Sequence, residues 1–72
     1  MLLKEKMVVK MTDGSSHIVQ RVKRIKGKDV ALLLSLQDCF LRFAIDANAD
    51  GSDLKFITDQ KRIIKIAEEF DK

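Results

Sequence analysis

Residues 18–36 read IVQRVKRIKGKDVALLLSL, and how this stretch folds decides the architecture of the whole chain. Its first half places Ile18, Val22 and Ile25 at i, i+4 and i+7, a helical spacing that Ser16 could cap and Gly27 could end. The same residues are rich in β-branched side chains, which lose rotamer freedom in a helix and pack well on a pleated surface. That content favours a strand over His17 to Ile25, turning at Lys26-Gly27-Lys28-Asp29 into a second strand that begins at Val30.

The next segment, Val30 to Ile45, also admits two readings. Divided at Gln37-Asp38, it gives two alternating apolar faces, Val30-Leu32-Leu34-Leu36 and Cys39-Leu41-Phe43-Ile45. As one helix over about residues 30–46, with Asp29 as N-cap, it would confine Ala31, Ser35, Asp38, Arg42 and Asp46 to a narrow polar stripe. Such a helix is apolar round most of its circumference and needs covering on several sides, which 72 residues supply poorly. Two strands are therefore the preferred reading.

Working outward, Met7, Val9 and Met11 alternate in Lys6 to Met11, and Asp13-Gly14 follows as a hairpin turn. Leu54 to Thr58 reads as a further strand with Leu54 and Phe56 on one face. The tail from Gln60 has Ile63, Ile66, Ala67 and Phe70 at helical spacing, while Ile64 and Ile66 equally suit an edge strand. The expectation is one domain over residues 1–72. It is mainly β, a small antiparallel sandwich or barrel-like meander, with a helix as the alternative for the C-terminus; an α+β fold with the central helix is the alternative for the middle. Leu32, Leu34, Leu41, Phe43, Leu54, Phe56 and Ile66 are the expected core, and Phe40 and Phe70 are read as core positions too.

From Val30 onward, VALLLSLQDCFLRFAIDANADGSDLKFITDQKRIIKIAEEFD resembles the DUF2341 domain, an uncharacterised β-rich module of exported bacterial and archaeal proteins. The resemblance centres on Asn48-Ala49-Asp50-Gly51-Ser52-Asp53-Leu54-Lys55-Phe56 and closes in Glu69-Phe70-Asp71. It implies strands at Val30 to Leu36 and at Asp53 to Thr58, with a turn at Gly51. It implies no chemistry.

The chain holds one cysteine, Cys39, and one histidine, His17, so neither an internal disulfide nor a four-ligand Cys/His zinc site can form. No segment reads as a signal peptide or a membrane span, and the chain is read as soluble and cytoplasmic with a reduced thiol. A domain this small often leans on a staple, and oligomerisation is the one left. The charge is segregated. Residues 1–28 carry eight basic side chains against two acidic ones, residues 29–60 carry two against six, and the net charge is +3. That distribution suits an anionic partner or the pairing of one copy with another.

Asp46 to Gly51 matches the first half of a Ca²⁺ loop, but the twelfth position, where a bidentate Glu belongs, is Ile57. It reads as a solvated turn, with no metal and no cofactor expected. His17 reads as a surface turn histidine and Cys39 as a buried apolar thiol, since no spacing gives either a catalytic partner. No enzyme motif or small-molecule site is evident. The candidate binding residues are Lys10, Arg21, Lys23, Arg24, Lys26 and Lys28, a basic surface suited to phosphates of a nucleic acid or another polyanion. An acidic protein surface, including the Asp46 to Asp59 region of another copy in a homo-oligomer, is the alternative partner. The absence of Trp and Tyr argues against base stacking.

Overall fold

The computed structural model describes residues 3–46 and 54–71. The Ca²⁺-like turn after Asp46 and the turn at Gly51 lie outside the described residues, as do residues 47–53 of the acidic region read as a partner for a second copy.

Five strands and a helix follow in chain order: β1 (Val8–Lys10), β2 (Ser16–Ile25), β3 (Lys28–Ser35), β4 (Leu41–Asp46), β5 (Leu54–Phe56) and α1 (Gln60–Phe70). All strands join one antiparallel sheet in sequential order, curled into a half-barrel. The fold is mainly β. The central-helix alternative does not occur, because two strands let Val30–Ile45 bury both of its faces, one inside the curl and one beneath α1. The two segments named with the resemblance overlap β3, which begins earlier and ends at Ser35, and β5, which is shorter.

The turns follow from residues that tolerate a left-handed backbone. Gly14 has φ 89° and Gly27 φ 80°, so both exposed turns use the freedom of glycine. Lys26 at φ 52° precedes Gly27, so the two-residue loop between β2 and β3 has positive φ at both positions, as a type I′ turn requires. Cys39, at φ 61°, lies in the β3–β4 turn and is exposed. The expectation of a buried thiol is thereby corrected: a turn position with positive φ carries its side chain away from either core.

Register divides the sheet into two faces. Val9, His17, Val19, Leu33, Ala31 and Ala44 share the inner face, where Leu3, Met11 and Leu54 complete a buried cluster. The outer face carries Val30, Leu32, Phe43 and Ile45, covered by Ile63, Ile66 and Phe70 of α1. Phe43 and Phe70 meet in a tilted pair with centroids 5.2 Å apart. The expected core is partly right: Leu54 and Ile66 are buried, and Leu32, Leu34, Phe43 and Phe56 are half-buried. Leu41 and Phe40 are 59% and 65% exposed, because α1 crosses the lower part of the outer face and the β3–β4 turn projects beyond the sheet.

His17 needs a further correction. It is not a surface turn residue but an inner-face residue of β2, 1% exposed, with its ring edge-on to Phe56 at 5.2 Å. That contact joins β2 to β5, which are not neighbours in the sheet, and so marks the inward curl of the half-barrel.

Candidate polyanion-binding groove

One irregularity determines where the basic segment points. Between Val19, which faces Leu33, and Arg21, which faces Leu32, Gln20 is an extra residue in β2. Such a bulge shifts the alternation by one and strengthens the local twist. Before it, odd residues face inward. After it, Arg21, Lys23 and Ile25 face outward, toward α1.

Arg21 and Lys23 are consequently engaged within the fold. The Arg21 Nη1 donates to the Phe70 carbonyl at 3.0 Å, and its guanidinium stands 5.3 Å from the centre of the Phe70 ring. The Lys23 Nζ donates to the Glu69 carbonyl. These are among the carbonyls that a helix leaves without internal partners, at the end where its dipole is negative. The last turn of α1 holds no cation of its own, and β2 supplies two.

The remaining candidates separate. Arg24 bridges Asp29 at 3.3 Å and donates to the Gly27 carbonyl, which braces the hairpin. Lys10 is exposed on β1, at the sheet edge. Lys26 and Lys28, at the β2–β3 turn, reach the wall of a groove of about 630 Å³ between that hairpin and α1. Arg62 and Lys65 form the facing wall, with Ile25, Val30, Ile45 and Ile66 as an apolar floor and Glu68 and Glu69 beside them. No ion pair among the described residues engages Lys26, Lys28, Arg62 or Lys65.

Four cations from two elements thus line one groove. Two were candidates from the sequence. Arg62 and Lys65 were not, although their i, i+3 spacing in the tail was the available signal once that tail is taken as helix. Asp59 fixes the helix start, its side chain accepting from the Lys61 amide at 3.1 Å, and so sets which flank Arg62 and Lys65 occupy.

A second cleft, of about 650 Å³, is lined by His17, Ser35, Asp38, Arg42 and Phe56 among others. Its one cation is already paired: Arg42 donates to both carboxylate oxygens of Asp38, at 3.1 and 2.8 Å. The Arg42 bonds, and then the Phe40 amide, hold the Asp38 carboxyl well below the usual carboxylate range, and Asp38 in turn raises Arg42. Among the described residues no cluster of His, Cys, Asp or Glu is placed to hold a metal ion, and no helix is long and apolar enough to cross a membrane. Comparison with family models, curated proteins and solved structures gives no match to this chain.

Proposed function

We propose that the chain is a non-enzymatic, cytoplasmic binding module whose groove between the β2–β3 hairpin and α1 takes the phosphate backbone of a nucleic acid. The observation that supports this is the convergence of Lys26, Lys28, Arg62 and Lys65 on one groove without ion-pair partners among the described residues. The apolar floor lets the long stems of these side chains lie against it while their charged heads stand toward the ligand.

Among the described residues the groove has no aromatic lining, so a stacked base gains nothing from them. Recognition then runs through phosphate, with little dependence on sequence. Glu68 and Glu69 repel a backbone at the C-terminal end of the helix wall and leave it the part that carries Arg62 and Lys65. Four phosphate contacts predict that log K falls with log salt at a slope of roughly 3 to 4.

The test is fluorescence anisotropy with labelled duplex DNA, single-stranded DNA and RNA at about 50 mM salt, where non-specific phosphate binding is strong. Replacing Lys26, Lys28, Arg62 and Lys65 together by Ala is expected to abolish binding, whereas Lys10→Ala leaves it nearly unchanged. Wild-type protein that binds none of the three polymers rules the proposal out.

A further inference from the structure

Helix α1 covers only part of the outer face of the sheet. Val8, Ile18, Leu34 and Leu41 form one cross-strand row on that face through β1 to β4. Val8 and Leu41 are each 59% exposed, and Ile18 and Leu34 are half-buried. Ile64 of α1 is also 59% exposed, on the shoulder of the helix away from the Arg62 and Lys65 flank. Sheet row and helix shoulder both offer apolar side chains that do not line the basic groove.

The charge pattern of the helix identifies what fits this surface. Lys61, Ile64 and Glu68 lie at i, i+3 and i+7 and are all exposed. The cations of α1 fall in its first half and the anions in its second, opposite to the order its dipole favours. In an isolated helix that order is a cost. Between two antiparallel copies it is complementary. A two-fold axis passing beside Ile64 places Lys61 of each copy opposite Glu68 of the other, with both Ile64 side chains at the centre.

We infer that the chain forms a symmetric homodimer through the exposed shoulder of α1 and the apolar row of the sheet. The interface is isologous, so one patch serves both copies and the assembly closes at two. Ile64 and Leu41 supply the desolvated centre, and the Lys61–Glu68 pairs on the rim fix the register. The four cations of the basic groove take no part in this interface, and Glu68 borders both, so the inference goes beyond the polyanion proposal.

Sedimentation velocity over loading concentrations from about 5 µM to about 1 mM tests the inference, since it covers the affinities of weak interfaces. The mass is expected to rise from the 8.2 kDa of one chain toward twice that value. Ile64→Asp, at an exposed helical position, is expected to stay monomeric throughout while keeping its circular dichroism spectrum. Lys61→Glu alone, which sets like charges together, is expected to raise the dissociation constant by roughly 2- to 10-fold, and adding Glu68→Lys restores it. The charge exchange touches no core residue, so it decides the matter even where Ile64→Asp proves unstable. A wild type that stays monomeric to about 1 mM, a dimer indifferent to Ile64→Asp, or a double exchange that fails to restore association overturns the inference.

Discussion

Arg21 and Lys23 belong to the segment with the densest positive charge, yet their bonds go to the Phe70 and Glu69 carbonyls. Their role is to hold the end of α1, and their removal should appear in stability. Arg21→Ala with Lys23→Ala is expected to cost roughly 1 to 3 kcal/mol, read from the urea midpoint, because helix-terminal carbonyls lose charged donors. His17 presents the reverse case. It is buried with neither ring nitrogen hydrogen-bonded among the described residues, and burying an unpaired polar atom costs free energy. His17→Leu is therefore expected to raise stability by roughly 1 to 3 kcal/mol; a loss instead shows that the imidazole makes a needed contact. Asp38 contributes a pH dependence. Its folded pKa is lowered, first by Arg42 and then by the Phe40 amide. The stability it contributes is present above the ordinary carboxylate value near 4 and is lost as pH falls through the lowered one. The difference in melting temperature between wild type and Asp38→Asn should accordingly be seen at neutral pH and shrink below about pH 4.

At the scale of elements, the two glycine turns and the β-branched runs made the meander legible, and β1 to β5 follow the expected order. The faces were harder to read. Alternation in β3 pointed to Leu32 and Leu34 as core, yet Ala31 and Leu33 are fully buried beside them, because a sheet curled on one side and covered by a helix on the other buries both parities. The bulge at Gln20 has no local signature in the sequence, since it is set by pairing with β3. Without it, Arg21 and Lys23 face inward and α1 loses its anchors. The groove was half legible for a related reason: Lys26 and Lys28 stand at a recognisable turn, while Arg62 and Lys65 depend on α1 being a helix and on where it docks. That docking rests on Phe70, which is buried and packs on Phe43. Phe70→Ala is expected to cost about 3 to 5 kcal/mol, a large share of the stability of so small a domain, with thermal denaturation as the check. A variant with an unchanged melting temperature means that α1 is not an integral layer of the fold.

For the molecule as a whole, α1 contributes to two surfaces of different chemistry. One is the basic groove, shared with the β2–β3 hairpin; the other is the apolar surface assigned to a second copy. The segregation of charge along the chain reaches the fold only in part, because Arg21, Lys23 and Arg24 are spent on internal contacts and the tail supplies the replacement cations. The central claim is that nucleic acid binds at this groove and nowhere else. Two-dimensional amide NMR of the labelled protein, titrated with a short DNA duplex at about 50 mM salt, tests it most directly by reporting each residue separately. Shifts concentrated at Ile25 to Lys28 and at Arg62 to Glu69, with Val8 to Lys10 unmoved, are the predicted result. Shifts centred on β1 or on the Asp38 turn, or none at saturating duplex, would contradict it.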